Sequence, residues 1–89
     1  MITDVIVKSI HKGTQTIVFY DNGYGASVVK HQMSYGGGND LFEIAVLKGN
    51  KDNWQICYDT YITNDVLGWQ DDNDVANVLE EISKLPKYD

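Results

Sequence analysis

Apolar and polar residues alternate along this chain in five extended stretches, followed by one stretch of helical period. Val5 to Ile10 alternates weakly and is rich in β-branched residues, and Thr16 to Tyr20 (TIVFY) is β-branched and aromatic. A third stretch runs on from Tyr24 to about His31 or Gln32, Leu41 to Leu47 is the most hydrophobic of all, and Trp54 to Tyr58 is the fifth. Within the fourth, Phe42, Ile44 and Val46 share one face, and Leu41, Glu43, Ala45 and Leu47 share the other. Thr60 to Trp69 (TYITNDVLGW) is irregular, with a turn signal at Asn64-Asp65 and an apolar cluster at Val66, Leu67 and Trp69. The period then changes: Val75, Val78, Leu79, Ile82 and Leu85 fall on one stripe of a helix.

Turn and cap residues set the boundaries. Asn22-Gly23 predicts a two-residue type I′ hairpin turn, because both residues tolerate positive φ. That turn pairs Asp21 with Tyr24, Phe19 with Ala26 and Ile17 with Val28. Ile17, Phe19, Ala26 and Val28 then lie on one face, and Thr16, Val18, Ser27 and Val29 on the other. The Met33–Asp40 loop (MSYGGGND) is longer than the two to five residues usual in hairpins. Asp71 followed by Asp74 is a carboxylate version of the capping box, Lys84 and Lys87 suit the far end of the helix dipole, and Pro86 stops the helix.

These elements predict an α+β fold, an antiparallel four- to five-stranded sheet packed by one C-terminal helix, as a single compact domain over residues 1–89. One helix of that length covers only about half of one face of such a sheet, yet the fourth strand is apolar on both faces. The uncovered apolar area predicts an interface, most simply in a homodimer.

Size and charge narrow the classes. A chain of 89 residues buries only about 60% of its unfolded surface. With one cysteine, Cys57, it has no internal disulfide, and with two histidines it has no structural zinc set. A lone thiol and the absence of a signal-peptide pattern or a long apolar run predict a soluble protein of the cytoplasm, with no membrane partner. Thirteen acids oppose seven bases, all lysine, for a net charge of −6. The charge is uneven. Residues 1–38 hold two acids and three lysines, and Asp52 to Ser83 holds eight acids and no base. That balance, without arginine, argues against direct nucleic-acid binding.

No catalytic pattern emerges. Tyr35-Gly36-Gly37-Gly38-Asn39-Asp40 lacks the GK[ST] of a phosphate-binding loop, and a strand follows it where a dinucleotide fingerprint needs a helix. Cys57, His31 and Asp59 suggest a nucleophile, but Cys57 lies mid-strand among aromatics and nothing places His31 beside it. Asp71-Asp72-Asn73-Asp74 resembles the start of a calcium loop, but Val75, Ala76 and Ile82 stand where that loop requires a ligand, a glycine and a glutamate. Glu43 is the only acid in the middle of a predicted strand. The expectation is therefore a protein that is not an enzyme and has neither cofactor nor metal.

Tyrosines and tryptophans are the remaining contact chemistry. Trp54, Tyr58 and Trp69 are expected in the core, and Tyr24 and Tyr35 at the surface. The predicted partner-binding set is Tyr24, Tyr35, Gly36, Gly37, Gly38 and Asn39. A rival is an acidic mimic of nucleic acid, in which Asp59, Asp65, Asp71, Asp72, Asp74, Glu80 and Glu81 imitate phosphates. A small-ligand sponge using the glycine loop is a third possibility.

At DNGYGASVVKH, SYGG and LFEIAVL, then YDT…ITNDVLGW before a short acid-capped helix, the chain resembles small accessory proteins encoded by bacteriophages. The pattern covers roughly Asp21 to Leu85. The resemblance implies a viral protein made in a bacterial cytoplasm that acts on a host or phage protein, and it implies no particular target. It assigns no catalytic residues. The function expected is a non-enzymatic module that binds and modulates or inhibits a host protein, for example a defence or transcription factor.

Overall fold

The fold is arranged around a strand that is buried on both faces. In the computed structural model, which describes residues 1–10, 13–30, 41–60, 62 and 66–87, this strand is β4, Phe42–Asn50. Ile44, Val46 and Leu47 are fully buried and Ala45 nearly so. Before it come β1 (Ile2–Ile10), β2 (Gly13–Tyr20) and β3 (Tyr24–Lys30), and after it β5 (Asn53–Ile56), β6 (Leu67–Gln70) and the helix α1 (Asp72–Ser83). The sheet order is β1-β2-β3-β4-β5, with β6 also paired to β4 and every pairing antiparallel. The α+β architecture expected from the sequence is present, with one strand more than the five anticipated. That strand is β6, which occupies part of the stretch read as irregular.

The hairpin at Asn22-Gly23 forms in a register one residue away from the expected one. Val18 pairs with Ala26, Ile17 with Ser27 and Phe19 with Gly25, so the connection is Asp21-Asn22-Gly23. Gly23 takes φ 84° and its N–H approaches the Tyr20 carbonyl at 3.4 Å, while Asn22 is not in the positive-φ region. This is a three-residue loop of type I turn plus left-handed glycine, for which Asn-Gly is as well suited as for the type I′ turn. The slip exchanges faces, as a one-residue slip must. Val18, Tyr20, Ala26 and Val28 lie on the helix side with Ile44 and Val46, and Ile17 and Phe19 join Ala45 and Leu47 on the other.

The side chain of Asn22 supplies the reason. It is buried, and its amide nitrogen donates to the carbonyls of Ile82 at 2.8 Å and Leu85 at 3.1 Å, with Ser83 at 3.4 Å. Its amide oxygen accepts the Tyr24 N–H at 3.0 Å. The last carbonyls of a helix have no partner within it, so an inward-pointing Asn satisfies groups that would otherwise be buried unpaired.

The helix begins and ends where its sequence dictates. Asp74 N–H donates to Asp71 Oδ1 at 2.8 Å and Asp71 N–H to Asp74 Oδ2 at 3.0 Å, which completes the capping box. Val75, Val78, Leu79, Ile82 and Leu85 all face the sheet. Lys84 caps the far end and pairs with Glu80 at 3.0 Å.

The second face of β4 was expected to be bare. It is not, because the sheet curls over it. Asp4 on β1 reaches Lys51 in the β4–β5 turn at 3.8 Å, across the width of the sheet, and Ile6, Ile56 and Val66 close over Phe19 and Leu47. Sheet twist supplies this curl. Gly25 permits it locally, since a Cβ there would meet the Val18 carbonyl and lie 2.7 Å from the Phe19 ring. On the helix side, aliphatic surface remains open on β1, at Ile2, Val5 and Val7.

Three stability measurements follow. Asn22→Ala should lose about 2–4 kcal/mol in urea denaturation, from the lost bonds and the orphaned carbonyls. Asn22→Asp should lose at least as much, because its charge opposes the negative end of the helix. A loss under about 0.5 kcal/mol, the range of idle surface positions, would show that the tie does not hold the fold. Gly25→Ala should cost about 1–3 kcal/mol or more, because the new Cβ would push against the Val18 carbonyl and the Phe19 ring.

Candidate functional site

The outer edge of β4 is shared by two short strands. β5 pairs with its C-terminal half, Leu47 with Ile56 and Gly49 with Trp54, and the Cys57 N–H extends the ladder to the Val46 carbonyl at 2.7 Å. The chain then leaves and returns as β6, where Leu67 pairs with Ile44 and Gln70 with Phe42. Gly68 and Trp69 therefore oppose the single residue Glu43, which makes a bulge. Trp69 has φ 60°, a left-handed conformation costly for a bulky side chain, and it is 59% exposed. Tyr58 is 52% exposed and Trp54 37%. These three aromatics were expected in the core. They lie instead on the edge, because the interior is already filled by β-branched and aliphatic side chains from β2, β3, β4 and α1.

Beside this edge, on the helix-free face, is a cleft of about 140 Å³. Val29, Ala45, Leu47 and Ile56 give it an apolar floor, Trp54 and Val66 flank it, and Glu43 stands half-buried in its lining. Within the floor, Gln15 Nε2 donates to Ser27 Oγ at 2.9 Å. The volume is well below the ~300–1,000 Å³ of ordinary small-molecule pockets and suits a single inserted side chain. A more open polar depression of about 290 Å³, between Lys48, Gly49, Asn53 and Gln55, borders the other side of Trp54.

The residues expected to bind a partner are not brought together among the described ones. Tyr24 is half-buried and packs against the helix-side core. Tyr35, Gly36, Gly37, Gly38 and Asn39 lie outside the described residues, as does Asp65. Of the other acids, Asp71 and Asp74 hold each other's backbone in the capping box, Glu80 is paired with Lys84, and Asp72 and Glu81 are exposed. No position of the sequence pattern separates an edge tryptophan from a core one, so the aromatic edge was missed. The nearest signal was Gly68-Trp69, which breaks the alternation that a buried strand would keep.

Cys57 is buried, and its thiol donates to Asp59 Oδ1 at 2.8 Å. Burial raises the thiol pKa above its ordinary value, and the bond to Asp59 adds to the effect. Asp59 is held lower than an ordinary aspartate by the same bond and then by Lys48. This is the opposite of an activated nucleophile, which needs a lowered pKa and exposure. His31 lies outside the described residues. Among the described residues no group of acids, histidines and cysteine is placed to hold a metal, and no helix is long and apolar enough to cross a membrane. No protein-family model, curated protein or solved structure matches the chain.

A thiol reagent should leave Cys57 unmodified in the native protein near pH 8 and label it fully in denaturant. Because the folded-state pKa is raised, the thiol's contribution to stability is present below the ordinary thiol range and is lost as pH climbs through the raised value. Rapid labelling of the native protein would overturn this assignment.

Proposed function

We propose that the chain is a non-enzymatic protein-binding module that contacts its partner through the β5–β6 edge, with Trp54, Tyr58 and Trp69 as anchors. The observation that carries this reading is Trp69. A bulky residue held at positive φ, with its side chain mostly in solvent, costs stability with little packing return. Exposed tryptophan and tyrosine supply large apolar area with a polar handle, and such residues dominate binding energy at protein interfaces. Asp72 is exposed three residues after Trp69, so the partner surface that fits is an apolar patch with lysine or arginine on its rim. The sequence's resemblance to small phage-encoded proteins supports a host protein as that partner, modulated or inhibited by having its surface occupied.

The acidic-mimic reading would use Asp59, Asp71, Asp72, Asp74, Glu80 and Glu81 together with Asp65. It receives less support, because Asp71, Asp74, Asp59 and Glu80 already have partners within the fold.

Trp69→Gly discriminates between the two. It removes the left-handed strain, so stability should hold or rise by about 1 kcal/mol. Partner capture from bacterial lysate, quantified against the unmodified protein, should fall by about 30-fold, as expected for an anchor residue. Capture by the unmodified protein should survive raised salt. Capture that collapses with salt and with Asp71→Asn, Asp72→Asn and Asp74→Asn, but is indifferent to Trp69→Gly and Trp54→Ala, would establish the mimic instead.

A further inference from the structure

The opposite edge of the sheet is of a different kind. β1 is nine residues long, contains no proline, and is irregular only at its start, where the register shifts between Ile2 and Asp4. Among the described residues no strand pairs with its outer side. Natural edges are usually kept short, bulged or heavily charged, because a long regular one is a template for another strand. On the helix side, α1 packs over β3, β4 and β6 and leaves β1 uncovered. Ile2, Val5 and Val7 are there 53%, 56% and 68% exposed.

The central part of this strand is complementary to itself when two copies run antiparallel. About Ile6 as centre, the regular part of the strand beyond the shift places Val5 against Val7 and Asp4 against Lys8. We infer that the occupant of this edge is a second copy of the chain, with the two β1 strands antiparallel about a two-fold axis at Ile6. The two sheets then form one continuous sheet. In this register Val5 lies opposite the partner's Val7 on the helix side, twice, making a cluster of four valines. On the other face Ile6 meets the partner's Ile6, and each Asp4 lies opposite the partner's Lys8 and carries opposite charge to it. Shifting the register by one or two residues either way puts Asp4 or Lys8 opposite Val or Ile, so charge and pattern favour this alignment.

Net charge agrees with this placement. Two chains of −6 repel, but the excess acid lies in residues 39–89, whereas residues 1–38 hold two acids and three lysines. The β1 edge is the border of the sheet farthest in strand order from β5, and it lets two copies meet through their acid-poor halves. A single pair of strands about 30 Å long is a small interface, so association should be reversible and depend on concentration.

Charge variants read both the interface and its register. Sedimentation equilibrium of the unmodified chain should move from 10.0 kDa to twice that mass as concentration rises into the high micromolar range. Val5→Lys with Val7→Lys, at exposed positions, should keep the circular dichroism of the fold and remain monomeric throughout. Asp4→Lys alone sets lysine against lysine, and Lys8→Asp alone sets aspartate against aspartate, so each should weaken the dimer at least ten-fold; because Asp4 also pairs with Lys51 of its own chain, Asp4→Lys should first be shown to keep the native circular dichroism. An equimolar mixture of these two variants restores a lysine–aspartate pair at both places where position 4 of one chain meets position 8 of the other. It should dimerise as the unmodified chain does. An unmodified chain that stays at 10.0 kDa to millimolar concentration would overturn the proposal. A dimer that survives the double valine substitution would place the interface elsewhere and overturn it equally. Single charge variants that dimerise normally would overturn the register.

Discussion

The position of the helix on the sheet depends on one amide. Asn22 joins a turn near the start of the chain to the last carbonyls of α1, and both ends of its side chain are used: the nitrogen for Ile82 and Leu85, the oxygen for the Tyr24 N–H. A helix end needs acceptors satisfied, and a buried end cannot turn to water for them. The same bond fixes which of two competing hairpin registers forms, and the register decides which face each residue of β2 and β3 presents. A contact between residues 60 positions apart therefore determines a pattern that looks purely local.

From that tie follows the inequality of the two faces and the two edges. The helix covers the face of Ile44 and Val46, and the other face closes by curling, with Asp4 and Lys51 meeting across it. Curling buries Phe19, Leu47 and Ile17 without a second layer. The edge at β5 and β6 is broken, bulged and set with exposed aromatics, which discourages pairing by another strand while offering side-chain contacts. The edge at β1 is long and regular and offers its backbone. Two edges built so differently suit two different modes of association.

Much of the architecture was legible in the sequence. The two-sided apolar run at Leu41–Leu47, the stripe from Val75 to Leu85, the Asp71–Asp74 cap and the stop at Pro86 are local signals, and each appears as expected. The hairpin at Asn22-Gly23 was legible as a turn but not in its register, because Asn-Gly satisfies both loop geometries and the deciding bond comes from the helix. β6 was not legible, since Gly68 and the left-handed Trp69 interrupt the alternation by which a strand is recognised. Trp54, Tyr58 and Trp69 were read as core from hydrophobicity alone. That property does not say whether a strand will be central or at an edge. The contact loop expected at Tyr35–Asn39 lies outside the described residues, so the aromatic edge owes nothing to it.

One further consequence follows from the divided edge strand. The segment 58–66 departs after Cys57, bonded to Val46, and returns at Leu67, paired with Ile44, so its two ends meet the same strand two residues apart. Closing such a segment depends only logarithmically on its length, and each doubling adds roughly 0.6 kcal/mol. The sheet on either side is held by β4, while Ile62 and Val66 within the segment pack against the two cores. Length added between Ile62 and Val66 would therefore leave both of these contacts, and the pairing of β5 and β6 to β4, in place.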